Sequence, residues 1–278
     1  MILLGPSSRR RPRVLDEVAG GVRCEHGSLP ESAPDRVAIL VHFSRSQHVN
    51  RSFRILVREF TDAGYLPLVV SACPAPYPLD WGGGLPPQAV VLRKPNIGYD
   101  FGSWAVGLAA LPAVKSSEHV VLANDSVIGP FTSLAPHLAA FESTDADVWG
   151  LTDTRQYLHH LQSYFLGFRH GVLAEKLLSQ FWAERRHERT KWDIIHRNEI
   201  ALGQLLLNEG YVMASAFRAD DLVPAGQNPV IRAWWKLIEL GFPFVKREIV
   251  TNPTVAPRSE WVAREVRACF GVEIDEWI

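Results

Sequence analysis

The sequence predicts an α/β protein with a mostly parallel central sheet flanked by helices. Three observations predict it. Apolar runs of strand length alternate with segments of helical spacing through the N-terminal half, as in strands joined by crossover helices. The runs "RVAILVHF" and "HVVLAN" are apolar without alternation, which suits strands buried on both faces. Polar residues gather where these runs stop, and ligands of such sheets bind beyond the carboxyl ends of the strands.

The elements follow in chain order. Residues 1–35 carry Arg, Pro, Ser and Gly without clear periodicity and read as a loose leader; 36–278 reads as one domain. Arg36 to Phe43 is the first strand. Val49, Phe53, Leu56, Val57 and Phe60 then recur at helical spacing, and Gly64 closes the helix. "LPLVVS" at Leu66 is the second strand. "AVVL" at Ala89 is the third, reached through a Pro- and Gly-rich loop. Phe101 to Leu111 reads as a helix with Asp100 as its N-cap. "HVVLAN" is the fourth strand. A helix over Ser133 to Phe141 and the strands "DVWGLT" and "SYFLGF" come next. Val172 to Arg186 is amphipathic, and Glu199 to Glu209 is a helix ended by Gly210. The strand "YVMASAF", a helical segment from Pro229 to Leu240 and the run "GFPFVKRE" complete the order. Two halves are expected within the domain, a donor-binding one over 36–150 and an acceptor-side one over 151–278.

Composition removes several function classes. The chain has 278 residues and a formal net charge of −1, so it lacks the basic face of a general nucleic-acid binder. Arg9 to Arg13 is a basic terminus, and Arg185 to Lys191 has acids interleaved and reads as a solvated helix face. Cys24, Cys73 and Cys269 are scattered, with no disulfide or metal spacing. The start "MILLGPSSRRRPRV" lacks the layout of a secretory signal. No stretch is long enough to span a bilayer. A cytoplasmic protein is expected, with peripheral association at the inner face of the membrane allowed.

Four segments carry candidate chemistry. In "VVLANDSVIGPF", a strand ends on Asn124, Asp125 and Ser126. One carboxylate between an amide and a hydroxyl supplies hard oxygen ligands for Mg²⁺ or Mn²⁺; a polar Asx-type turn explains the same residues. In "RKPNIGYDFGSW", Gly98 and Gly102 allow close backbone approach to a ligand. Arg93 and Lys94 are placed to meet phosphate, Asp100 to bind a sugar hydroxyl, and Asn96 lies in the same loop. In "NEIALGQLLLNEGY", Glu199 stands at a helix start, where the helix dipole alone accounts for a carboxylate; the functional reading is a general base. The segment Asp147 to Arg169 is dense in Trp149, Asp153, Tyr157, His159, His160, Gln162 and Tyr164. Rings and hydroxyl partners together suit sugar recognition. The adjacent histidines are poorly spaced for a metal.

Taken together, "RKPNIGYDFGSW", "VVLANDSVIGPF", "DVWGLTD", "HLQSYFLGFR", "NEIALGQLLLNEGY" and "NPVIRAWWKLIELGFPFVKREIV" resemble the rhamnan synthesis protein F family of bacterial polysaccharide glycosyltransferases, in the family's order over Arg36 to Asn252. The resemblance implies a GT-A-like nucleotide-sugar-binding fold. It implies transfer of a deoxyhexose, typically rhamnose from dTDP-L-rhamnose, to a growing glycan or lipid-linked acceptor. "NDS" takes the place of the D-x-D metal motif, with Asp125 as the one carboxylate, and Glu199 takes the place of the catalytic base. Arg93, Asn96, Gly98, Asp100, Asn124, Asp125 and Ser126 are then the donor-side residues, and Trp149, Asp153, His160, Gln162 and Tyr164 the acceptor-side ones. The alternative from another class is a non-catalytic glycan- or nucleotide-sugar-binding module of a polysaccharide assembly complex. A dinucleotide-dependent oxidoreductase fits the alternation but lacks G-x-G-x-x-G after the first strand, where "HFSRSQH" stands.

Overall fold

The computed structural model of the chain describes residues 11–278. Its strands are β1 (Arg23–His26), β2 (Arg36–His42), β3 (Leu66–Ser71), β4 (Val90–Arg93), β5 (His119–Asn124), β6 (Val127–Ile128), β7 (Val148–Thr154), β8 (His160–Leu161), β9 (Phe165–Arg169), β10 (Met213–Phe217) and β11 (Val245–Lys246). The main sheet runs β1-β4-β3-β2-β5-β9-β7-β10, with β8 paired to β7. β4, β3, β2 and β5 are mutually parallel. β9 lies antiparallel between β5 and β7, and β10 is parallel to β7. The α/β expectation holds as a mixed, mostly parallel sheet flanked by helices. β6 and β11 form a separate antiparallel ribbon.

The apolar runs form strands because both faces of the sheet are covered. Ala38 and Leu40 of β2 join one core, and Val37, Ile39 and Val41 join the other. The helix Arg51–Asp62 covers the first face with Phe53, Leu56, Val57 and Phe60. Its N-cap is Asn50, whose side chain accepts from the Phe53 amide at 2.9 Å. The helix Tyr99–Ala110 covers the second face with Phe101, Trp104 and Leu108. Gly107 brings it close, since a Cβ there would lie 2.6 Å from Ile39 Cγ2.

Two expectations are corrected. The loose leader does not hold for residues 14–26: Val14–Val18 is a short helix and β1 adds an antiparallel edge beside β4. Such a short helix and a mostly exposed edge strand leave no periodicity to read. Arg9 and Arg10 of the basic terminus lie outside the described residues. The helical segment from Pro229 breaks at Ala233 into Pro229–Arg232 and Trp234–Glu239. A third core, unforeseen from sequence, joins Ile128, Trp234, Ile238, Val245, Val266 and Trp277, so the C-terminal helix Val262–Phe270 packs against the ribbon's side of the molecule. Among the described residues no helix is long and apolar enough to cross a membrane.

Candidate functional site

The topology itself makes a crevice. From β2 the chain steps outward to β3 and β4, then returns to place β5 on the other side of β2. Loops leaving β2 and β5 must part there, and such a switch point is where open α/β sheets bind ligands. The backbone N–H of Phe43, just after β2, donates to Asp125 Oδ2, just after β5, at 2.8 Å. Asn124 is buried and its Nδ2 donates to Asp100 Oδ2 at 2.9 Å. Asn124 Oδ1 accepts from the Ser126 amide at 3.1 Å and from Ser126 Oγ at 2.6 Å. Asp100, Asn124, Asp125 and Ser126 thus come together. Asp100, however, is not a cap. The helix it opens has Gly98 as N-cap, with no side-chain capping bond, and the Asp100 carboxylate faces Asn124 instead.

Two cations complete the crevice from the far end of the chain. The β6–β11 ribbon sets Lys246 opposite Val127. Lys246 Nζ donates to Ser126 Oγ at 2.9 Å and lies 5.3 Å from the centre of the Tyr164 ring. The Arg247 amide donates to Ser126 O at 3.0 Å, and its Nε donates to Asp125 O at 3.1 Å. Arg247 Nη2 is buried and has no hydrogen-bond partner among the described residues. The ribbon can form because Gly129 has φ +126° and no side chain; a Cβ there would collide with the Pro243 carbonyl. Neither cation was foreseen as a site residue. The one signal was a Lys-Arg pair directly after the apolar "FPFV".

Glu199 lies in a π-helical turn, Ile195–Ile200, between the helices Lys191–Ile194 and Ala201–Asn208. Such turns concentrate at functional sites. Its Oε1 accepts from the Ser163 amide at 2.8 Å. Ser163 precedes Tyr164, whose carbonyl accepts from the Asn124 amide at 3.3 Å and whose ring lies 5.3 Å from Lys246 Nζ, so Glu199 stands beside the same cleft. Asn198 beside it is buried and accepts from Arg185 Nη1 at 2.8 Å.

Crowding shifts the titrations. Burial pushes the Asp125 carboxyl up to about 7, with Asp100 adding to the rise and the Phe43 amide and Arg247 opposing it. Burial lifts Asp100 to about 6; Glu199 adds to this, and Lys246, Lys94 and Asn124 oppose it. Burial lowers Lys246 below the usual lysine range and brings Lys94 to about 8. Both carboxyls therefore keep protons in the folded protein that the unfolded chain releases near pH 4. The stability this contributes is full below about pH 4 and is lost as pH rises through about 6 to 7. His42, which burial lowers to about 4, acts oppositely between about pH 4 and 6.5. Asp125→Asn keeps an acceptor for Phe43 and deletes one titration. Urea midpoints measured from about pH 5 to 8 are expected to fall less steeply in the variant; equal slopes would contradict the assignment.

The other predicted residues lie elsewhere or are already occupied. Arg93 is 2% exposed; it pairs with Glu25 at 2.6 Å and donates to the carbonyls of Cys73, Ala75 and Tyr77. It fastens the loop after β3 and is not displayed to a phosphate. Lys94 donates to Pro95 O and Ile97 O. The open space at Gly98 and Gly102 is filled by Val14, 2.6 Å and 3.0 Å from where their Cβ atoms would be, so it serves packing and not a ligand. Asn96 is exposed in the same loop. On the acceptor side, Trp149 is 3% exposed and packs on Phe141 and Phe165; it offers no face to a sugar. Thr152 Oγ1 donates to Gln162 Oε1 at 2.7 Å and lies 2.7 Å from the Tyr164 hydroxyl, while Gln162 Nε2 donates to Asn228. These groups satisfy one another in a buried network. His160 is buried against Gly203, with Nδ1 2.7 Å from Leu158 O. Asp153 accepts from the Ala219 amide at 2.7 Å and lies 2.9 Å from His159 Nε2.

A divalent cation fits this donor set poorly. The Asn124 and Ser126 oxygens are engaged with each other and with Lys246, which leaves Asp125 as the one free ligand of "NDS". Among the described residues no group of three or more His, Cys, Asp and Glu side chains could hold a metal. Lys246 and Arg247 already bring positive charge to the spot.

A family model described as Rhamnan synthesis protein F matches residues 88–268, a span that includes Asp100, Asp125, Glu199, Lys246 and Arg247. The chain is 28% identical over 201 residues to "Virulence protein VirA" of Vibrio anguillarum (strain ATCC 68554 / 775), covering 60% of this chain and 64% of that protein. It is 27% identical over 150 residues to "Uncharacterized protein y4gN" of Sinorhizobium fredii (strain NBRC 101917 / NGR234), covering 51% of this chain and 39% of that protein. The matches span less than two thirds of either relative's own length.

Proposed function

The chain belongs to the rhamnan synthesis protein F family, and on that premise we propose that it is an inverting glycosyltransferase with a GT-A-like fold. It transfers a deoxyhexose, rhamnose from dTDP-L-rhamnose, to a growing cell-surface polysaccharide or glycolipid. The observation that carries this reading is the meeting of Asp125, Lys246 and Arg247 at one topological switch point, with Glu199 held on the Ser163 amide next to Tyr164 beside it.

Each group has a role that its surroundings support. The Phe43 amide and Asp125 form the floor of the donor site. Lys246 and Arg247 meet the diphosphate, and their charge offsets what develops on it as the bond to the sugar breaks. Glu199 is the general base. The Ser163 amide holds Oε1, which leaves Oε2 for the proton of the acceptor hydroxyl. The acceptor oxygen bonds to the anomeric carbon from the face opposite the diphosphate, which departs with the electron pair of the broken bond. The proton ends on Glu199. No step is assigned to a metal, because Lys246 and Arg247 supply the charge that a metal would.

A thermal-shift comparison tests the donor site. dTDP-L-rhamnose is expected to raise the melting temperature, since a ligand at about 100 times its Kd stabilises the fold by about 2.7 kcal/mol. The shift should survive a chelator. Absence of a shift with dTDP-deoxyhexoses, or its loss on chelation, would contradict the reading.

A further inference from the structure

Beside the cleft lies an aromatic cluster to which the donor site gives no work. Trp192 is 62% exposed, and its ring stacks on His196 with centroids 3.8 Å apart and planes at 20°. Tyr157 is 53% exposed and lies 5.1 Å from the same imidazole. Large rings are usually buried or scattered singly at the surface, and a contiguous exposed set marks an interaction site.

The cluster borders the cleft for structural reasons. Trp192 is on the helix Lys191–Ile194, which runs directly into the π turn of Glu199. Lys191 Nζ lies 3.2 Å from Glu248 Oε2, which ties this helix to the segment just after Lys246 and Arg247. Tyr157 comes from the loop between β7 and β8, whose base is held by Asp153 and His159.

The chemistry of the surface selects its occupant. Several nearby charges are paired: Arg155 with Asp220 at 3.0 Å, Arg197 with Asp193 at 3.0 Å, and Lys191 with Glu248. A flat apolar ring edged by a phenol hydroxyl and an imidazole suits the C–H face of a pyranose, whose hydroxyls keep partners at the rim. We propose that Trp192, His196 and Tyr157 form a stacking platform for a neutral saccharide unit of the acceptor, next to Glu199. This assignment rests on the transferase reading for its purpose, while saccharide binding can be measured without turnover.

The test is binding of neutral rhamno- and gluco-oligosaccharides to the full chain by calorimetry and saturation-transfer NMR. Wild-type protein should bind at least one series. Trp192→Ala and Tyr157→Ala should weaken it roughly tenfold or more, and Trp192→Phe should recover part of the loss. Both residues are exposed, so circular dichroism should show folded variants. Unchanged affinity in both alanine variants, or no binding by the wild-type protein, overturns the platform. Release of dTDP from dTDP-L-rhamnose by the wild-type protein, read separately, judges the transferase reading: binding without release keeps the platform and removes that reading, and release without binding does the reverse.

Discussion

Glu199→Gln is expected to lower glycosyl transfer by about 10²- to 10⁴-fold, the range that a positioned general base contributes. The variant is nearly isosteric. Its amide oxygen can still accept from the Ser163 amide, as Oε1 does now at 2.8 Å, so the π turn should keep its shape. It cannot take a proton from an acceptor hydroxyl. The loss should therefore fall on kcat with donor affinity little changed, as for an interaction made only in the transition state. Transfer at wild-type rate by the variant would remove Glu199 from the chemistry. Loss of donor binding as well would make it a structural residue of the cleft.

Lys246→Met is expected to be nearly as damaging, by about 10²- to 10³-fold in kcat/KM, as for other groups that stabilise developing charge. Methionine keeps an apolar stem over the Tyr164 ring, where Lys246 lies at 5.3 Å, and the backbone pairing of β11 with β6 is untouched. What disappears is the ammonium beside Ser126. Arg247 still reaches the Asp125 carbonyl, so some donor binding should remain. Steady-state kinetics with dTDP-L-rhamnose, beside urea unfolding, separate the two effects. Turnover within about twofold of wild type would show that the diphosphate charge is met elsewhere.

Much of the scaffold was legible because the physics was local. β2, β3 and β5 are covered on both faces, so each is an unbroken apolar run. The chain must become polar where such a strand meets a crevice, and Asn124, Asp125 and Ser126 mark that point. Other features depended on partners distant in sequence. Lys246 reaches Ser126 across 120 positions, and nothing within "FPFVKRE" shows that it closes a site. Gly98 and Gly102 read as room for a ligand because the partner that fills the room, Val14, lies in a segment with no periodicity of its own. Trp149, Gln162 and Tyr164 read as a sugar site because rings and amides were dense there. β7 is an inner strand, however, and its polar groups satisfy one another across β8 and β9. Tyr157 and Trp192, two of the exposed aromatic groups, lie on a loop and a short helix, where a ring has no core to join.

The central claim is that the crevice between β2 and β5 activates a nucleotide sugar. Single-turnover release of dTDP from dTDP-L-rhamnose, with water as acceptor, tests it most directly when wild-type protein, Glu199→Gln and Lys246→Met are run side by side. The wild-type protein should release dTDP, and both variants should release it slowly or not at all. No release by the wild-type protein, or equal release by all three, would contradict it.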